Sequence, residues 1–338
     1  MRRFTGFLVG VGLALMAVPV TSVAQEDEAE AKELMRQQSL GGIRTQAALV
    51  APVFRTISGT PLTIYVADDA SFQVLNANVP GSGQFYPSGG TCTPGDAGVF
   101  ADSGGILYAP NFGMHPCGSA TESIGTNTPW TPVSISAVTG SGTSGSPFTV
   151  VVVVDAGTTG LRLTMTVTYV NGDGFFNVSN VFTTTGSAAT ADVFFGADLY
   201  LANNDDGIPF RDGTTGGVGG QNCGTTQTYT IQFIPTTAAD AYAANGYSSV
   251  WQQIGDDALG NTVTAGCLDN GAALEWTDRA VNPGAPTTIN VRVQFTGFVG
   301  PSPTPTGPAA VVPTLSFPMM ALFAAALATL GFVFMRRN

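Results

Sequence analysis

Histidine occurs once in this 338-residue chain, at His115, and lysine once, at Lys32. Charged residues make up 10% of the sequence, yet the net charge is −11. A lone imidazole leaves one possible base for a Ser-His-Asp relay, and no Gly-x-Ser-x-Gly elbow supplies the nucleophile. Neither a His-Glu-x-x-His helix nor a close Cys-x-x-Cys pair is present, which excludes the common zinc arrangements. An acidic chain so poor in basic residues repels phosphate backbones, which excludes nucleic acid as a partner. His115 itself, in Asn111-Phe112-Gly113-Met114-His115-Pro116-Cys117, reads as a loop residue.

The middle of the chain also lacks helical periodicity. From about residue 49 it consists of short β-type runs separated by Gly, Ser, Asn and Pro. Leu62, Ile64 and Val66 alternate with polar neighbours, as do Val133 and Ile135. Phe148 to Val154 is an unbroken β-branched run, which predicts a strand buried on both faces. Leu161, Leu163, Met165, Val167 and Tyr169 alternate with Arg162 and three threonines, the pattern of a half-buried strand. Asn171-Gly172-Asp173-Gly174 follows at once and tolerates the positive φ of a tight hairpin, so Phe175 to Thr183 should return antiparallel. Alternation resumes at Val193–Leu201, Tyr229–Phe233 and Ile289–Phe295. Thr237 to Asn245 is expected to form a helical turn or two, stopped by Gly246. Many short strands with turn signals predict an all-β protein, an antiparallel β-sandwich over 49–298, either one elaborated sandwich or two fused ones.

The two ends carry address signals. Arg2-Arg3, the apolar stretch Phe7–Val20 and the small residues Ser22-Val23-Ala24 form a signal peptide over 1–24. Residues 25–48 form a helix-prone, solvated arm, because Glu28 and Lys32 sit four apart among good helix formers. Pro-Ser-Pro-Thr-Pro-Thr-Gly-Pro within 299–311 is a stiff spacer. Phe317–Met335 is 19 uncharged residues followed by Arg336-Arg337, the length of a membrane-spanning helix with a cytoplasmic stop-transfer pair. Val312-Pro313-Thr314-Leu315-Ser316, this helix and the basic finish together resemble the IPTL-CTERM sorting signal of Gram-negative bacteria, over residues 312–338. The resemblance implies a partner, an exosortase-type transpeptidase in the membrane, and delivery from the inner membrane to the cell surface or beyond.

Four cysteines in an exported chain are expected to pair. Proximity in sequence favours Cys92 with Cys117 and Cys223 with Cys267. Asn203-Asn204-Asp205-Asp206-Gly207 with Asp212 gathers oxygen ligands of the kind calcium takes, and Asp205, Asp206 and Asp212 are the candidate metal residues. The bland reading is that Asp, Asn and Gly are ordinary turn residues. Asp256-Asp257 is a lesser candidate of the same kind. Tyr242, Tyr247 and Trp251 are aromatics that either stack on sugars or cover one end of the sandwich. Glu122 and Glu275 are the glutamates open to paired-carboxylate chemistry, and Trp276 beside Glu275 reads as a packed aromatic. Asn177-Val178-Ser179 is a formal sequon on an expected strand.

These features point first to an exported, surface-sorted, non-enzymatic protein with a structural or adhesive role. The second reading is a module that binds a surface glycan or other ligand. The third is a secreted hydrolase that uses two carboxylates.

Overall fold

A computed structural model describes residues 51–79, 83–88, 92–224 and 227–296. The expected signal peptide, arm, spacer and sorting tail lie outside these residues. Among the described residues no helix is long and apolar enough to cross a membrane.

Eighteen strands and one helix follow in order. The first group is β1 (Phe54–Ser58), β2 (Leu62–Ala67), β3 (Phe72–Asn76), β4 (Ala97–Asp102), β5 (Leu107–Ala109), β6 (Thr128–Pro129) and β7 (Thr131–Ile135). Then come β8 (Phe148–Asp155), β9 (Leu161–Tyr169), β10 (Phe175–Thr184), β11 (Ala189–Asp198), β12 (Asp206–Arg211), β13 (Val218–Asn222) and β14 (Thr230–Pro235). Last are β15 (Ala241–Gly246), helix α1 (Tyr247–Gly255), β16 (Thr262–Val263), β17 (Leu268–Val281) and β18 (Thr287–Thr296). β1 to β3 form a small sheet, and the other strands form one sheet in the order β6-β5-β4-β11-β17-β12-β13-β14-β18-β10-β9-β8-β7, with β15 and β16 alongside β17. β17 meets β12 only through Leu268 and Asp269, and there the sheet turns from one half to the other.

The expected β-sandwich is present. Val99, Phe195, Leu274 and Trp276 from one half of the sheet share a core with Val150, Met165, Phe176, Phe233 and Val293 from the other. Phe72 of β3 joins them, with ring centroids 5.5 Å from Phe195 and 5.8 Å from Phe176. The outer half, β7 to β10, keeps the alternating pattern of a sheet with one wet face. β9 reads buried at every odd residue from Leu161 to Tyr169, and the hairpin through Asn171–Gly174 returns it antiparallel onto β10, as the turn chemistry requires.

β8 departs from expectation. Val150, Val152 and Val154 are buried, whereas Val151 and Val153 are half-exposed, because among the described residues nothing covers the outer face of this half. The strands buried on both faces are β4 and β11, with the first half of β17. Their inner residues enter the main core, while Phe100, Phe194 and Ala273 enter a second core under α1. Helix α1 begins where a helix was expected to end. Ala241–Gly246 is strand, and Gly246 is the helix N-cap. The reason lies in the next nine residues, where Tyr247, Val250, Trp251 and Ile254 recur at helical spacing and bury one face. Burying side chains of this size stabilises by roughly 1.5–3 kcal/mol each. Close docking needs small residues beneath. A Cβ on Gly271 would lie 3.0 Å from the Tyr247 Cα, and one on Gly196 3.0 Å from Ile254 Cδ1.

Candidate functional site

Four carboxylates from four elements converge beside the C-terminal end of α1. Asp192 on β11 faces Asp102 on β4 in register. The pairing of β11 with β17 slips at this point, and Asp278, with φ at +52°, donates its backbone N–H to Asp192 Oδ1. Asp257 is the second residue after α1 and holds its carboxyl against that of Asp192. Burial first, then the charges of Asp192, Asp102 and Glu275, push Asp257 up from 3.8 to about 7. The negative end of the α1 dipole acts in the same direction. Glu275 on β17 is 2% exposed and accepts the Leu259 N–H at 2.7 Å. Burial raises its carboxyl above the ordinary range, with Asp192 and Asp240 adding to the effect and the Leu259 N–H opposing it. Asp257 and Glu275 are thus carboxyls raised above their ordinary range, as a general acid requires.

A separate cleft of about 200 Å³, whose lining includes none of these four carboxylates, lies between the β12–β13 hairpin and the segment that leads into β15. Its polar lining is Arg211, Thr215, Asp240, Tyr242 and Asn261. The Arg211 guanidinium carbon stands 4.2 Å from the Tyr242 ring centroid. Asp240 is held by the Thr277 N–H at 2.9 Å and by an ion pair with Arg279. It also links cleft and carboxylates, since its backbone N–H donates to the Glu275 carbonyl at 2.8 Å.

Both expected disulfides are present, Cys92–Cys117 and Cys223–Cys267. The expected metal set is redrawn. Asp205 meets Asp198 and Asp269, with one oxygen of each within 4.8 Å of the others. Asp206 and Asp212 are not in the group. Asp206 opens β12, and Asp212 caps its own turn by accepting the Thr214 N–H and the Thr215 hydroxyl, which lower its carboxyl below the usual range. Asp198 and Asp269 are 71 residues apart in sequence, so only strand pairing reveals the set.

His115 is no open loop residue. Its ring is buried, with Nε2 3.1 Å from Asp69 and Nδ1 4.0 Å from Asp96. Asp69 also takes the Ser71 hydroxyl and the backbone N–H of Asn111, so the group ties the loop before Cys117 to the β2–β3 hairpin. Ser71 and His115 both bind Asp69 rather than one another, which is not the order of a nucleophile relay. Tyr247 and Trp251 belong to the second core and offer no ring to a sugar, whereas Tyr242 does line the cleft. Trp276 packs in the main core and donates Nε1–H to the Thr237 carbonyl at 2.9 Å. Glu122 lies in a 3₁₀ turn apart from the carboxylate group. Asp102, Asp192 and Arg211 were not legible as site residues. Asp256-Asp257 was noticed, as a possible calcium loop, without its partners.

No protein-family model and no curated protein matches the chain. Partial likenesses to solved structures are found. A bacterial glucoamylase complexed with acarbose matches over 76% of this chain at 6% identity and a TM-score of 0.45. The chain spans about a third of that protein, 35% of its length. A putative aldose 1-epimerase from Escherichia coli K12 matches over 73% of this chain and 100% of its own, at 12% identity and a TM-score of 0.39. A heparan sulfate lyase from Pedobacter heparinus matches over 82% of this chain and 41% of its own, at 10% identity and a TM-score of 0.38. The three proteins are named as carbohydrate-processing enzymes, which runs against the expectation of a non-enzymatic protein with a structural or adhesive role; at these identities and TM-scores the likenesses assign this chain no role.

Proposed function

We propose that this chain is a carbohydrate-active protein that performs acid–base chemistry on a saccharide. The carrying observation is the convergence of Asp102, Asp192, Asp257 and Glu275 from four elements, where burial first and then the neighbouring charges push the Asp257 carboxyl up to about 7. Asp257 is the general acid in this reading, and Asp192 is the nearest carboxyl that acts on it. The cleft beyond Asp240 supports a saccharide as the substrate. Thr215, Asp240 and Asn261 bring hydroxyl, carboxylate and amide groups to its lining, and Arg211 lies over the Tyr242 ring there. The test is a panel of oligosaccharides incubated with the protein and analysed for released reducing ends and for anomer interconversion. Turnover that falls at least about 100-fold in Asp257→Asn, with the fold retained, supports the reading. Turnover unaffected by Asp257→Asn or Asp192→Asn overturns it.

The protein is also proposed to be exported and sorted to the cell surface. The paired cysteines and the signals at 1–24 and 312–338 support this. Mass spectrometry of the C-terminus in fractionated cells tests the sorting. Loss of Phe317–Asn338 is the expected outcome, and an intact tail in the presence of an exosortase contradicts it.

A further inference from the structure

The cleft contains a cation with no carboxylate of its own. Among the described residues, Arg162 pairs with Asp155 and Arg279 with Asp240, and Arg292 hydrogen-bonds Asn177 with Asp173 nearby. Arg211 is exposed and, among the described residues, makes neither an ion pair nor a side-chain hydrogen bond. Its guanidinium carbon lies 4.2 Å from the Tyr242 ring centroid, and the residue lines the cleft. The carboxylate across the cleft, Asp240, is already neutralised by Arg279 and held by the Thr277 N–H.

We infer that the cleft takes a saccharide bearing an oxyanion, a uronate carboxylate or a sulfate ester, and that Arg211 is the residue that selects it. The inference rests on the reading of the cleft as a saccharide site. A guanidinium fork matches a carboxylate or sulfate with two parallel N–H···O bonds, which an ammonium cannot reproduce. Stacking on Tyr242 reduces the side-chain freedom lost when those bonds form. The alternative role for Arg211 is surface packing on the ring, and it makes a different forecast.

The experiment measures binding of three probes by calorimetry: an oligogalacturonate, a heparin-derived oligosaccharide and a neutral cello-oligosaccharide. The variants are Arg211→Gln, Arg211→Lys and Tyr242→Ala. Binding of either anionic probe that weakens at least about tenfold in Arg211→Gln, and is only partly restored in Arg211→Lys, supports the inference. Which anionic probe binds identifies carboxylate or sulfate as the group. Equal binding of the neutral probe, or anionic binding unchanged in Arg211→Gln, overturns the inference and leaves the saccharide site standing when Tyr242→Ala still abolishes it. No binding of any probe overturns both. An unchanged melting temperature in each variant shows that the losses are local.

Discussion

Asp257, the second residue after helix α1, rests its carboxyl against that of Asp192 on β11, with Asp102 and Glu275 close enough to raise it further. Like charges gathered in this way cost stability unless one of them keeps its proton. The unfolded chain has no such cost.

That difference gives stability a pH dependence of known sign. The folded Asp257 holds its proton up to about 7, whereas the unfolded one releases it near 3.8. The folded state therefore binds more protons across this interval, and stability falls as pH rises from about 4 to about 7. Glu275, also raised, adds in the same direction, while Asp69, lowered by His115, acts only on further acidification. Melting temperatures of wild type and Asp257→Asn across this range isolate the effect. The variant should lose part of the slope and melt higher than wild type above pH 7, and identical slopes would count against the pairing.

Asn180 lies at a core-facing position of β10, 1% exposed, between Val178 and Phe182 in the alternation. Neither its amide oxygen nor its amide nitrogen meets a hydrogen-bond partner among the described residues. Removing an unsatisfied buried amide relieves a desolvation penalty of about 1–3 kcal/mol. Asn180→Val is expected to raise the denaturant midpoint accordingly. A lower midpoint would reveal a bridging water that the amide needs.

Trp251 is fully buried against Phe100 and Phe112. Trp251→Ala should cost about 3–5 kcal/mol of stability, as large-to-small changes in a core do. Saccharide binding per folded molecule should be unchanged. A variant of normal stability that has lost binding would return Trp251 to the cleft.

Cys223 and Cys267 close 44 residues between β13 and the start of β17, near the point where the sheet turns. In the loop-closure model the bridge removes about 4 kcal/mol of unfolded-chain entropy. Replacing both with serine should lower stability by that order in equilibrium unfolding. A change under about 1 kcal/mol would show that the loop is already ordered in the unfolded chain.

Much of the fold was legible because its signals are local. The period-two run of Leu161–Tyr169 and the turn at Asn171–Gly174 fix one hairpin without reference to the rest of the chain. What failed needed a partner element. Phe194 and Ala273 are buried on the outer side of their strands because α1 lies over them, and α1 was missed since Gly246 was read as a stop rather than a start. The site was less legible still. Tyr242, Asp257 and Glu275 drew attention singly, but Asp102, Asp192 and Asp257 lie far apart in sequence and meet only through the β4–β11 register and the end of α1. Arg211 carried no signal in one dimension, since its meaning comes from what it stacks on.

The rate of saccharide turnover against pH, for wild type and for Asp257→Asn, tests the central claim most directly. A general acid that stays protonated to about 7 gives a wild-type rate that declines above that pH, and the asparagine variant should fall at least about 100-fold at every pH. A wild-type profile flat through pH 7, or an asparagine variant as active as wild type, would contradict the account.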